Sequence, residues 1–238
     1  MSKLFATGDK HGPLCMLEYG PGCFPDGKKL TRDDVVVACG DTNTLFEPKT
    51  SKREKENIAY LASMPFTIAL VDGNHDNITR FRELPKAEMF GDVVGVIAPN
   101  VVYLQRGHVY NINDNICFTM GGAASVDRRF RIENVSWWRD EIPTSKEMEL
   151  GLKTLASYQN KVDFIFTHTC PRFVLDMLCE YTALYPDVVD PLFNYFSYIA
   201  NNVKFKHWYY GHYHFPTTFC IYEKFYTCLF MNVMLVND

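Results

Sequence analysis

Several things are missing from this 238-residue chain, and each absence narrows its class. No apolar run approaches the roughly 18 residues that a membrane span needs. The N-terminus does not read as a secretion signal, because Met1 to Phe5 is too short an apolar stretch and a polar cluster follows at Asp9. The eight cysteines include no Cys-x-x-Cys pair, which speaks against a paired-cysteine redox or zinc motif. Basic charge is not in excess: 24 Lys and Arg stand against 28 Asp and Glu, a formal net charge of −4. That excludes a broad surface for gripping a nucleic-acid backbone, though not a small basic site. No Gly/Ser- or Pro-rich linker and no internal repeat divides the chain. Together these absences predict one domain over residues 1–238. They also predict reduced thiols used mainly as small core fillers, a cytoplasmic location and no membrane contact.

What is present points to a globular α/β protein. Apolar residues make up 47% and aromatics 15%, enough for a sizeable core. Short apolar runs at Leu4–Ala6, Val35–Cys39, Phe66–Val71, Val162–Phe166 and His207–Tyr210 are continuous rather than alternating, as in strands buried on both faces. Helices are predicted at Thr50–Met64, Ser145–Tyr158, Pro171–Glu180 and Pro191–Asn201. The second opens with a Thr144/Glu147 capping box, and the last two with a proline at a favoured first position. Hairpins are predicted at Val109–Ile112 with Ile116–Met120, and at Thr217–Tyr222 with Phe225–Phe230. Strands alternating with helices, followed by hairpins, imply a mixed α/β fold with two sheets.

Five of the seven histidines lie in polar clusters, each just after one of these apolar runs. The clusters are Gly8-Asp9-Lys10-His11-Gly12, Gly40-Asp41-Thr42-Asn43, Gly73-Asn74-His75-Asp76, Thr167-His168 and Gly211-His212-Tyr213-His214. Carboxylate, amide and imidazole ligands without thiolate suit borderline or hard divalent ions. Asp9 and His11, like His212 and His214, are two residues apart and would face one side of an extended segment. By the same alternation Lys10 would point away and be solvated or ion-paired. With Asp41, Asn74 and His168, the set offers seven ligands. That is too many for one tetrahedral zinc and suited to two ions sharing a carboxylate. His108 and His207 fall outside the clusters and read as structural.

In this order the clusters resemble the calcineurin-like metallophosphoesterase superfamily, whose pattern runs D-x-H, G-D, G-N-H-D/E, H and G-H-x-H. The resemblance covers positions 9 to 214. It implies a four-layer α/β/β/α sandwich of two mixed sheets flanked by helices. It also implies two divalent ions, drawn from Mn, Fe, Zn, Ni or Mg with Mn favoured. Asp9, His11 and His214 would hold one ion and Asn74, His168 and His212 the other, with Asp41 bridging. His75 matches the family's catalytic His, Asp76 would orient it, and Asn74 would also touch a phosphate oxygen. The implied reaction is hydrolysis of a phosphodiester or phosphomonoester by a metal-bridging hydroxide, with His75 assisting the leaving group.

The substrate is less defined by the sequence. Phosphoprotein phosphatases of the superfamily carry G-D-x-V-D-R-G, whereas Gly40-Asp41-Thr42-Asn43-Thr44 lacks that arginine. This weakens a Ser/Thr phosphatase reading, and an inactive scaffold would be expected to lack a ligand or the catalytic His. The stretch from Gly121 to Arg131, with Trp137-Trp138 and Glu141, resembles small stand-alone bacterial and phage metallophosphoesterases. Residues 121–144 therefore read as a specificity insertion. Arg128 and Arg131 are its candidate phosphate donors, against ion pairing with Asp127, Glu133 or Asp140. Trp137-Trp138 reads as packing, with stacking on a substrate ring as the alternative. Cys170 reads as a buried thiol and the aromatic stretch Tyr181–Tyr198 as core. Small phosphoesters, nucleotides or phosphoproteins are the expected partners, and an oligomer is left open.

Overall fold

Alternate residues of the apolar runs enter different cores, which is why the runs are continuous. Val35, Val37 and Cys39 face one cluster of buried side chains, while Val36 and Ala38 face another. Likewise Phe164, Phe166 and Tyr209 turn to the first cluster, and Ile165, Trp208 and Tyr210 to a third. The computed structural model describes residues 2–11, 23–183 and 189–236.

The elements in chain order are β1 (Leu4–Thr7), β2 (Val35–Cys39), α1 (Lys52–Ala62), β3 (Thr67–Val71), α2 (Ile78–Arg82), β4 (Lys86–Met89), β5 (Asp92–Ala98) and β6 (Val101–Leu104). Then come β7 (His108–Ile112), β8 (Asn115–Met120), α3 (Ser145–Ser157), β9 (Phe164–Thr167), α4 (Arg172–Thr182), α5 (Leu192–Asn202), β10 (His207–Tyr210), β11 (Thr217–Ile221), β12 (Lys224–Cys228) and β13 (Met234–Leu235). One sheet has the order β13-β1-β2-β3-β6-β5-β4 and the other β11-β12-β10-β9-β8-β7. Parallel pairing of β1, β2 and β3, and of β8, β9 and β10, brings their C-terminal ends to one edge of each sheet.

The cluster between the sheets is apolar and draws on both, from Val37 and Ala69 to Phe166 and Tyr209. Helices α1 and α2 cover the outer face of the first sheet, where Leu61, Ile78 and Phe81 pack on Phe66 and Leu70. Helices α3, α4 and α5 cover the second through Leu155, Val174 and Phe196. The result is the expected α/β/β/α layering. The capping box forms as well: Thr144 Oγ1 accepts from Glu147 N at 3.2 Å, and Glu147 Oε2 accepts from Thr144 N at 2.7 Å. Strands β4, β5, β6 and β13 and helix α2 were not among the elements expected.

The bland expectations hold outside the clusters. Cys39, Cys117, Cys170, Cys179 and Cys228 are buried free thiols, while Cys23 and Cys220 are exposed. His207 stacks on Tyr209 with ring centroids 4.1 Å apart, and His108 Nδ1 lies 2.8 Å from Asp92 Oδ2. The tryptophans pack: Trp137 and Trp138 are buried. Within Tyr181–Tyr198 the aromatic stretch divides. Phe193 and Phe196 are core, Tyr181 and Tyr198 are exposed, and residues 184–188 lie outside the described set.

Candidate metal centre

All five clusters meet where the C-terminal edges of the two sheets face each other. The first sheet contributes Asp9 after β1, Asp41 after β2, and Asn74 and His75 after β3. The second contributes His168 after β9, and His212 and His214 after β10. Glycines allow the close approach. A Cβ on Gly40 (φ +86°) would strike the His168 ring, one on Gly73 the Asp41 carboxylate, and one on Gly211 the Asp9 carboxylate.

The route by which the ligands converge differs from the expected one. Asp9, Asp41, His212 and His214 have φ of 52°, 52°, 71° and 53°, so they occupy the left-handed region rather than extended strand. Asp and His tolerate that region better than most residues, and such backbone concentrates at functional sites. Strand alternation therefore does not govern the pairs, and of the two expectations for Lys10, solvated or ion-paired, burial excludes the first. Lys10 is buried, not solvated, and its Nζ donates to the Met231 carbonyl at 2.5 Å. Met231 N in turn donates to Gly8 O at 3.1 Å, which holds the segment around Phe230 and Met231 against the site.

Three groups of side chains bring potential ligand atoms within 4.8 Å of one another: Asp9, His11 and His214; His11, Asp41 and His75; and Asp9, Asp41 and His168. Asp41 Oδ2 is central, 3.3 Å from His168 Nε2 and 3.7 Å from both His11 Nε2 and His75 Nε2. Burial alone would raise its carboxyl, but His168 and His75 beside it hold it well below the usual carboxylate range. Asp9 is lowered in the same way: burial opposes, and His11 and His214 prevail. His168 is pushed the other way, to about 10, because Asp41 outweighs its burial. Burial and the neighbouring His168 depress His212 to about 3.

The donor set asks for a cation. His168 Nδ1 lies 2.8 Å from the Cys39 carbonyl, an acceptor, so the proton sits on Nδ1. Nε2 faces Asn74 Oδ1 at 2.9 Å and Asp41 Oδ2 at 3.3 Å, and a cation that displaced its second proton would meet all three atoms there. On the other side, His11 Nε2 and His214 Nε2 face each other at 2.9 Å, and Asp9 Oδ1 is buried without a conventional hydrogen bond, 3.3 Å from His214 Nε2. Nitrogen and oxygen atoms converging from both sides could hold a metal ion.

Two further expectations are corrected. Asp76 does not orient the His75 ring. Its Oδ2 accepts from the N–H groups of Asp41 at 3.0 Å and Gly73 at 2.8 Å, and its Oδ1 has no hydrogen-bond partner. It thus ties two ligand loops together, and burial near Asp41 raises it to about 7. Arg128 does not line the cleft either. Its guanidinium stacks over Trp137, 4.0 Å from the ring centre. Arg131 does line the cleft. Its fork pairs with Asp127 at 2.6 and 2.7 Å, and its Nη2 lies 3.2 Å from His75 Nε2.

The cleft, about 580 Å³, is bounded by Asp9, His11, Asp41, Asn74, His75 and Arg131 on its polar side. Val126, Phe230 and Met231 form its apolar rim. Phe230, stacked on His214 with centroids 4.8 Å apart, had no signal in the sequence. Ser125, which accepts from Asn74, and Glu141, which accepts from Ser125, lay within the stretch singled out but had no assigned role.

A two-sheet α/β/β/α fold with this Asp, His and Asn cluster at the facing strand ends defines the metallophosphoesterase class. A family model of calcineurin-like phosphoesterases matches residues 2–216, and the chain belongs to that family. Among solved structures, the chain is similar to the phosphopantetheinyl hydrolase of Mycobacterium tuberculosis, at 15% identity over 96% of this chain and 89% of that one, with a TM-score of 0.45. It is also similar to GAP50, the anchor in the inner membrane complex of Plasmodium, at 10% identity over 96% of this chain and 71% of that one, with a TM-score of 0.54. No curated protein gives a significant sequence match. Among the described residues, no helix is long and apolar enough to cross a membrane.

Proposed function

We propose that the protein is a dinuclear metal-dependent phosphoesterase acting on small phosphodiesters or phosphomonoesters. The observation that carries this reading is Asp41 Oδ2, a buried carboxylate oxygen within 3.7 Å of imidazole nitrogens from both sheets. Asp9, His11 and His214 would hold one ion, Asn74, His168 and His212 the other, with Asp41 common to both. Manganese is the first choice, given oxygen and imidazole ligands without thiolate. When bound, such ions supply Lewis-acid stabilisation of the phosphoryl oxygens and activation of water.

The chain's own groups do the rest. Arg131, its fork held by Asp127, keeps Nη2 beside His75, from where it would donate to a phosphate oxygen, while Asn74 lies on the same cleft wall to contact a second. At rest His75 Nε2 accepts from Arg131, and burial together with that cation lowers the ring's proton affinity. A phosphate that draws Arg131 away frees Nε2, which would then take a proton from solvent in the open cleft and deliver it to the leaving oxygen. That step is worth about 10²–10⁴ in rate. Residues 121–144 shape the cleft through Val126, Asp127 and Arg131 and are the proposed source of specificity. The unbroken ligand set, with His75 in the cleft, supports an enzyme over a scaffold.

The test is turnover with added Mn²⁺ on bis-p-nitrophenyl phosphate, p-nitrophenyl phosphate, cyclic nucleotides and a phosphopeptide. Hydrolysis of at least one small ester, lost on chelation, is expected. Preference for the phosphopeptide would move the assignment to a protein phosphatase. No turnover of any substrate, with fewer than one ion bound, would sink the enzymatic reading.

A further inference from the structure

The two ends of the Asn74 amide differ only in what they bond to, so its neighbours decide which end faces the cleft. Asn74 is buried, with Oδ1 towards His168 Nε2 and Nδ2 donating to Ser125 Oγ at 3.0 Å. Ser125 Oγ donates to Glu141 Oε2 at 2.5 Å, and Ser125 N donates to Glu141 Oε1 at 3.2 Å. A carboxylate only accepts, so the single hydroxyl proton of Ser125 is committed to Glu141. Oγ can then offer Asn74 only a lone pair, and only the NH₂ end of the amide can use it. The direction of donation runs from Asn74 through Ser125 to Glu141 and leaves the amide oxygen facing the cleft.

Glu141 is itself fixed relative to Asn74. Its main-chain oxygen accepts from Arg106 Nη2 at 3.1 Å, and the same guanidinium holds Asp72 Oδ2 through Nε at 3.0 Å and Nη2 at 2.6 Å. Asp72 precedes Gly73 and Asn74 at the end of β3, and its carbonyl accepts from Gly122 N at 2.9 Å. The 121–144 segment is thus closed back onto the strand that carries Asn74. All five side chains are buried: Asp72, Asn74, Arg106, Ser125 and Glu141.

We propose that Ser125 and Glu141 are positioning residues that lock Asn74 with its oxygen towards the cleft, as a ligand of the ion it shares with His168 and His212. The proposal rests on the dinuclear reading above. Neither residue touches substrate. Their effect is on the affinity of one ion and not of the other.

The experiment is calorimetric titration of Mn²⁺ into metal-free wild type, Ser125→Ala and Glu141→Gln, with melting temperatures of the three metal-free proteins. Wild type is expected to bind two ions. Ser125→Ala should weaken one of them about 10- to 100-fold, the usual cost of losing such an outer partner. The ion of Asp9, His11 and His214 should be unaffected. Glu141→Gln should weaken the same ion by less. Its amide can donate to Ser125 Oγ and let the hydroxyl turn towards Asn74, so it carries the test if Ser125→Ala does not fold. Two ions bound by the variants with wild-type affinity overturn the positioning role and leave the dinuclear reading standing. That holds even if their melting temperatures fall, since this assigns the pair a purely structural role. Wild type binding one ion or none overturns the dinuclear reading, and this proposal with it.

Discussion

The two halves of the centre use the same kinds of ligand but are built differently. His11 and His214 are open, with 32% and 47% of their side chains exposed, and rest on Asp9 and each other. His168 is fully buried, bonded through Nδ1 to the Cys39 carbonyl, and its neighbour Asn74 is braced by Ser125 and Glu141. One half is a rim and the other is set into the interior. The same imidazole is thus a surface group on one side and a core group on the other. Its removal should have different consequences.

The largest effect is expected where the halves join. Asp41→Asn should lower turnover of the best ester by about 10³-fold or more, since several kcal/mol of charge stabilisation depend on both ions. A steady-state assay that found an unchanged rate would break the idea of a shared carboxylate. Next comes the contrast between halves. His168→Ala should destabilise the metal-free protein by about 2 kcal/mol or more, as buried truncations do, whereas His214→Ala should stay within about 0.5 kcal/mol. Urea melts of both variants decide it, and equal losses would erase the distinction between rim and interior. Arg131→Lys should raise KM about tenfold with little change in melting, because a point charge replaces a fork. A lower melting temperature at constant KM would return Arg131 to packing.

The smallest effect lies away from the centre, at His207 on β10. Burial depresses its pKa to about 4, so between about 6.5 and 4 the unfolded chain binds the extra proton. Stability should therefore be full above the unfolded value and decline as pH falls through that window. His207→Gln should remove a decline on the order of 1 kcal/mol, the full shift being discounted for the ring's partial exposure. Parallel pH-dependent melts that leave the decline intact would assign it to other groups.

The layered fold and the order of the clusters were legible because strands buried on both faces leave continuous apolar runs, and polar residues must wait for their ends. Strand β4 was not, because Lys86 and Glu88 make an exposed edge that reads as loop. Nor was the β5–β6 pair, where β5 is only half-buried and its register shifts between Val96 and Ala98. Alternation was a poor guide to the ligand pairs because beyond the strand ends the backbone turns left-handed at Asp9, Asp41, His212 and His214, so it no longer says where a side chain points. The Asp72–Arg106 pair was hidden by distance. Nothing local announces a partner 34 positions away. The split between Arg128 and Arg131 likewise depends on a short turn, Arg128–Phe130, that no periodicity marks.

The cluster hangs from both sheets: Asp9, Asp41 and Asn74 from one, His168, His212 and His214 from the other. Any ion held between them acts as a clasp across the sandwich, and its binding energy becomes folding energy. At a hundred times the dissociation constant that linkage is worth about 2.7 kcal/mol per ion. The main-chain amide of His212 already bonds across the seam to Asp9 Oδ2 at 2.6 Å. Hydrogen exchange at this amide should slow markedly on loading with metal, and chelation should loosen the sandwich first along this edge.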